Sequence, residues 1–188
     1  MKKIRIILVV SFLFVVGCAK FESNMSKKVA DFNFINQDHE QVSLEDLKGK
    51  WWIADFIFTN CVTVCLPMTH NMANLQQQFI ENDLDVQLIS FSVDPEVDTP
   101  EVLKEYAKSY DVDFSNWSFL TGYDFETIQD LSVQSFASGL QKEPDSDQVQ
   151  HVSFFFLINP EGEIVKRYDG TDEEDMENIV KDLKILVK

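Results

Sequence analysis

Cys61 and Cys65 stand four positions apart in Phe58-Thr59-Asn60-Cys61-Val62-Thr63-Val64-Cys65-Leu66-Pro67-Met68, and their type and spacing suit them to chemistry. Two neighbouring thiolates can clip a soft metal ion or oxidise to a disulfide. The apolar run before them, Trp51 to Phe58, reads as a strand buried on both faces. The residues after them, from Leu66 through Asn71-Met72-Ala73-Asn74-Leu75-Gln76, turn helical. The thiols therefore sit where a central strand hands over to a helix, and a helix N-terminus favours thiolate. A helix beginning near Cys61 would set both sulfurs on one face, one turn apart. Thr59-Asn60 breaks the apolar run just before Cys61 and marks a loop, which argues against two inert core cysteines.

Three histidines are available to join the pair. His39 lies in a turn and reads as a solvated residue. His70 follows Cys65 by five positions, off the face of the two sulfurs, and is the lesser candidate for an extra ligand. His151 closes a polar segment and opens the apolar run Phe154-Phe155-Phe156-Leu157-Ile158. From spacing alone, a ligand and a surface histidine capping a strand are equally good readings of His151. Two thiolates with one imidazole suit copper, because sulfur favours Cu(I) and imidazole accepts both oxidation states. Zinc in a closed structural site would want a fourth ligand.

The elements that must position these residues can be read in order. Asp31 to Ile35 and Gln41 to Leu44 flank a turn and form an N-terminal β-hairpin, followed by a short turn over Leu44 to Leu47. The central strand 51–58, the cysteine loop and a helix to about Asn82 come next. Val86 to Val93 is a second buried strand. Pro100 after Asp98-Thr99 starts a helix that runs to about Tyr110. Trp117 to Leu120 is a short strand, Asp124 to Phe136 a helix, and 137–150 an exposed, mobile loop. Strand 154–158, its hairpin partner Glu163 to Tyr168 and a helix over Asp172 to Leu186 complete the chain. This order predicts an α/β domain with a mixed central sheet flanked by helices. With paired cysteines at the first strand-to-helix junction, it resembles the thioredoxin fold.

The chain of 188 residues suits one domain plus a targeting segment, and its 45% hydrophobic content with sixteen Phe can fill a core. Lys2, Lys3 and Arg5 precede the apolar stretch Ile6 to Val16. Eleven residues rise only about 16 Å as a helix, against a hydrocarbon core roughly 30 Å thick, so residues 1–17 read as a signal peptide. Its end, Val15-Val16-Gly17-Cys18, resembles the bacterial lipobox, in which the cysteine takes a diacylglyceryl thioether. Cys18 is then an anchor, residues 18–28 a lipid-anchored tether, and 29–188 the folded domain at the extracytoplasmic face of the cell membrane. The net charge of -16 becomes −19 once the three cationic signal residues leave 13 Lys and Arg against 32 Asp and Glu. Such a surface repels phosphates, which excludes nucleic acid as a partner. The chain is expected to be a monomer.

Four blocks together resemble the Sco/SenC family. They are Phe58-Thr59-Asn60-Cys61 with Cys65, Phe91-Ser92-Val93-Asp94-Pro95 with Asp98-Thr99-Pro100, Trp117-Ser118-Phe119-Leu120-Thr121-Gly122, and His151-Val152-Ser153 before Phe156-Leu157-Ile158-Asn159-Pro160-Glu161-Gly162. The resemblance implies a membrane-tethered, copper-binding thioredoxin-fold protein, a metallochaperone that assists maturation of the CuA centre in the copper-bearing subunit of cytochrome c oxidase. It places copper ligands at Cys61, Cys65 and His151, and the aspartate of its Val-Asp-Pro block at Asp94. The family usually carries proline after each cysteine, where this chain has Val62 and Leu66, so loop stiffness and copper affinity are the properties affected. The competing function is an extracytoplasmic thiol–disulfide oxidoreductase that reduces the cysteines of the oxidase copper subunit through Cys61 and Cys65. Against it stand the three intervening residues and the lack of proline in the nine positions before Phe154. A peroxidase is excluded because no Pro-x-x-x-Thr-x-x-Cys pattern is present.

Overall fold

The computed structural model describes residues 20–187, so the signal segment and Cys18 lie outside the described residues. The chain runs β1 (Lys27–Lys28), β2 (Asn33–Ile35), β3 (Gln41–Ser43), a 3-10 turn (Glu45–Leu47), β4 (Trp51–Ile57), α1 (Cys65–Glu81) and β5 (Val86–Ser92). It continues through α2 (Pro100–Lys108), β6 (Trp117–Leu120), α3 (Phe125–Phe136), β7 (Gln141–Lys142) and β8 (Val149–Gln150). Strands β9 (Phe154–Ile158) and β10 (Glu163–Asp169) and helix α4 (Glu173–Leu186) complete it.

Strand β4 is buried along its whole length after Trp51, because neighbours cover both its edges and both its faces. It pairs in parallel with β5 and antiparallel with β9. The six-stranded order is β1-β10-β9-β4-β5-β6, a mixed sheet. Side chains alternate across such a strand. Trp52, Ala54 and Phe56 enter a core with Phe32, Phe91, Phe136 and Phe156, roofed by α3 and the N-terminal hairpin. Ile53 and Ile57 enter the opposite core with Met68, Met72 and Phe79 of α1, Leu103 of α2 and Ile179 of α4. A mixed sheet between helical layers, with the first central strand feeding the cysteine loop, is the thioredoxin-like arrangement the sequence predicts.

Helix starts follow their capping chemistry. Thr99 Oγ1 accepts from the Val102 amide ahead of Pro100, and Asp124 and Asp172 cap α3 and α4 in the same way. Helix α1 has no oxygen cap. It begins at Cys65 rather than near Cys61, which lies in the loop before it, so the two sulfurs do not share a helix face. Two further differences concern loops. Residues 137–150 contain the β7–β8 hairpin, held down by buried Leu140 and Val149, where an open loop was expected. The segment expected to be a tether docks on β10: the amides of Asn24 and Met25 donate to Val165 O, and β1 adds an edge strand. Among the described residues no helix is long and apolar enough to cross a membrane.

Candidate metal centre

The buried strand β4 delivers Phe58 and the turn Thr59-Asn60, and Cys61 follows at the rim of the sheet. Cys61 Sγ takes the place of the missing cap oxygen, accepting from the Cys65 amide at 3.4 Å. The Thr63 hydroxyl lies 3.6 Å from the same sulfur. Donors converging on one sulfur stabilise its anion. Cys61 is accordingly held below the ordinary thiol range, first by the Cys65 thiol and then by His151 and the amides of Thr63 and Cys65, against the opposing effect of burial. Cys65 is pushed up, first by the proton it shares with Cys61 and then by its own burial. The surroundings thus favour the thiolate at Cys61 over that at Cys65.

His151 arrives from the other end of the chain, between β8 and β9. Its Nδ1 lies 2.9 Å from Val152 O, and a carbonyl can only accept, so the ring proton sits on Nδ1. Nε2 is thereby turned to the sulfurs, 3.4 Å from Cys65 Sγ. The ring stands edge-on to Phe58, with centroids 5.8 Å apart. The β7–β8 hairpin is tied to the cysteine loop because Gln148 Nε2 donates to Asn60 O at 3.0 Å. Beneath them, the buried Asp98 accepts from the Thr59 amide and hydroxyl, the latter at 2.6 Å, and from Ser92 Oγ at 2.6 Å.

The two sulfurs and an imidazole nitrogen lie within 4.8 Å of one another, and no other cluster of this kind occurs among the described residues. Two soft sulfurs and one borderline nitrogen match copper better than a hard cation, so the donor set fits the ion that the sequence suggested. Cys61 and Cys65 would supply thiolate and His151 its Nε2. The deprotonation of Cys65 that binding demands makes affinity fall with acidity. Beside the centre, Phe58, Val62, Thr63, Val64 and Gln150 border an open depression of about 580 Å³. Val62 is 75% and Leu66 53% exposed, so the residues standing where proline was expected face outward.

The structure brings together Cys61, Cys65 and His151, and leaves the lesser candidates out. His70 lines a separate depression with Tyr110 and Asp111. Asp94 borders a cavity on the other side of the β7–β8 hairpin. His39 adopts a left-handed turn with φ 60 and pairs with Glu101 at 2.8 Å, exposed as expected. Sequence reasoning passed over Asp55, a fully buried carboxyl on β4, although a lone acid inside an apolar run was the signal. Asp98 was read only as a lead-in to a helix, and Gln148 was not distinguished from its polar neighbours.

A thioredoxin-like sheet that presents a dithiol and an imidazole at one edge defines a class of metal-binding and redox proteins. Within that class, the SCO1/SenC family matches residues 21–188, and the chain belongs to that family. It is similar to a SCO1/SenC family lipoprotein from Bacillus anthracis, at 45% identity over 87% of this chain and 98% of that one, with a TM-score of 0.83. It is also similar to BsSco, a member of the Sco family of cytochrome c oxidase assembly proteins in which a disulfide switch is identified. That match has 45% identity, covers 88% and 96% of the two chains, and has a TM-score of 0.80. ScoI of Arabidopsis thaliana, solved with copper bound, matches at 29% identity over 83% and 98% of the chains, with a TM-score of 0.71.

Proposed function

We propose that this protein binds copper through Cys61, Cys65 and His151 and passes it to the copper-bearing subunit of cytochrome c oxidase during maturation of the CuA centre. The observation that carries this reading is the approach of His151 Nε2, eighty-six positions beyond Cys65, to 3.4 Å from that residue's sulfur while Nδ1 is held by Val152 O. Copper-bound ScoI and the assembly role of BsSco support the same reading. Lipid attachment at Cys18 would hold the domain at the extracytoplasmic membrane face, in keeping with the lipoprotein relative. Oxidation of the pair would release the metal, since two thiols that give two electrons and two protons to a disulfide oxidant no longer offer thiolate donors.

The test is titration of the reduced protein with Cu(I) and Cu(II). Cys61→Ser and Cys65→Ser each remove binding. His151→Ala weakens Cu(II) binding by more than the roughly 10–100-fold that loss of an outer-shell partner costs. Unchanged Cu(II) affinity in His151→Ala would sink the proposal.

The unlike surroundings of the two sulfurs favour a second activity at the same residues: the Cys65 amide and the Thr63 hydroxyl meet Cys61 Sγ, while Cys65 is the more deeply buried. Cys61 Sγ would attack a target disulfide and release one target thiolate. Cys65 would then displace the other target sulfur, leaving the Cys61–Cys65 disulfide and a reduced target. His151→Ala separates the two readings, because it leaves both sulfurs of the exchange reaction in place.

A further inference from the structure

On the far side of the β7–β8 hairpin from the metal centre lies a second cavity, of about 240 Å³, between that hairpin and the loop after β5. Asp94, Glu96 and Asp147 border it, with Lys142, Gln148 and Val149. Asp94 is the unusual member. It is only 6% exposed, and among the described residues its carboxylate makes no hydrogen bond or ion pair. The charges that act on it, Lys142, Glu96 and Asp147, all border the cavity, so the carboxylate faces inward. The side chain is otherwise enclosed, so its carboxylate meets solvent through the cavity and a donor placed there would take the place of water. Lys142 is not that donor: its ammonium is 3.1 Å from Glu96 and rests 4.9 Å from the centre of the Phe125 ring.

Three carboxylates against one engaged ammonium favour a cation. No trio of acidic side chains here comes close enough to grip a bare metal ion, as the only such grouping among the described residues is the dithiol–imidazole centre. A planar guanidinium can span separated acceptors, and its delocalised charge sheds water more readily than ammonium. We propose that this cavity receives the guanidinium of an arginine side chain presented by a protein docking beside the metal centre. Asp94 would take one edge of the fork, and Glu96 and Asp147 would form the acidic rim. Gln148 borders the cavity while donating to Asn60 O, so the docked arginine would sit one side chain away from the cysteine loop.

The test is backbone-amide NMR of the reduced, copper-free protein at low salt, titrated with N-acetyl-argininamide, the citrulline analogue and free arginine. This readout does not depend on metal binding, so failure of the copper reading and failure of this one are distinguishable. The blocked arginine is expected to shift the amides of 94–97 and 146–149 in a saturable way, and the neutral citrulline analogue to shift none. Asp94→Asn should weaken binding about tenfold, the loss of one charge-assisted bond, with an otherwise native spectrum confirming the fold. Lys142→Gln, which frees Glu96, should strengthen it, and Glu81→Gln, at the opposite end of α1, should leave it unchanged. Equal shifts from citrulline, an Asp94→Asn variant that binds as tightly as wild type, or a Glu81→Gln loss matching that of Asp94→Asn would overturn the proposal. Tighter binding of free arginine than of the blocked residue would overturn the assignment to a protein side chain.

Discussion

Among single residues, Asp55 sets the sharpest physical problem. It sits in the middle of β4 with no exposure, and neither carboxylate oxygen finds a partner that satisfies hydrogen-bond geometry. Burial raises its pKa to about 7, with Ser90 and then His151 pulling the other way. The folded state therefore keeps this proton to a higher pH than the unfolded chain, where an Asp ionises near 4. Folding is unpenalised below pH 4 and loses stability as pH rises from there through about 7, by up to roughly 4 kcal/mol. Asp55→Asn removes the titration. Urea denaturation of both proteins at pH 5 and pH 8 should show wild type losing stability relative to the variant at the higher pH. Parallel behaviour of the two would mean that Asp55 is solvated or paired in the folded protein. Proton placement matters at the metal centre as well. Nδ1 of His151 is committed to Val152 O, so a single nitrogen is left to serve metal or thiol.

At the level of elements, the centre is an assembly of three loops, and Asp98 joins two of them. Its carboxylate gathers Thr59, two residues before Cys61, and Ser92 at the end of β5. Asp98→Ala leaves a half-buried threonine amide and two hydroxyls without their acceptor, each worth about 1–3 kcal/mol when fully stranded. A lowered denaturation midpoint should therefore accompany faster alkylation of the reduced Cys61, because the turn that holds it is released. A lowered midpoint with unchanged thiol reactivity would confine Asp98 to the core. Strand β9 was legible as an unbroken apolar run, β4 and β5 as largely apolar stretches, and α2 as Thr99 followed by Pro100, since burial and capping write local signatures. The start of α1 was not legible. Its first amide is satisfied by a sulfur from the preceding loop, and no propensity scale carries that bond. The β7–β8 hairpin was equally hidden, because two residues per strand are too few for alternation to register and Leu140 and Val149 are separated by polar residues. Cys61, Cys65 and His151 were visible as residue types. Only the pairing of β4 with β9 explains why the chain brings the imidazole back to the sulfurs.

The whole molecule carries two facts that bear on where it works. If residues 1–17 leave as a signal peptide, as we propose, the remaining chain has a charge of −19, which disfavours contact with anionic lipid headgroups. Its first described residues are also not a free leash: Phe21 lies under the Lys166 ammonium at 5.6 Å, and Asn24 pairs with Arg167. If Cys18 carries a diacylglyceryl group, as we propose, its two acyl chains meet the two-chain requirement for stable anchoring. The three steps from Cys18 to Phe21 reach at most about 11 Å, which keeps the β10 edge of the sheet close to the bilayer. Attachment would then depend on the thioether alone. Cys18→Ser should move the protein from the membrane fraction to the soluble fraction at every ionic strength, with the soluble form still binding copper. The wild type should resist both high salt and carbonate washing and yield only to detergent. A Cys18→Ser protein that stays on membranes until salt is added would show a charge-mediated surface that the composition argues against, and one that resists salt would point to an uncleaved apolar segment in place of a lipid.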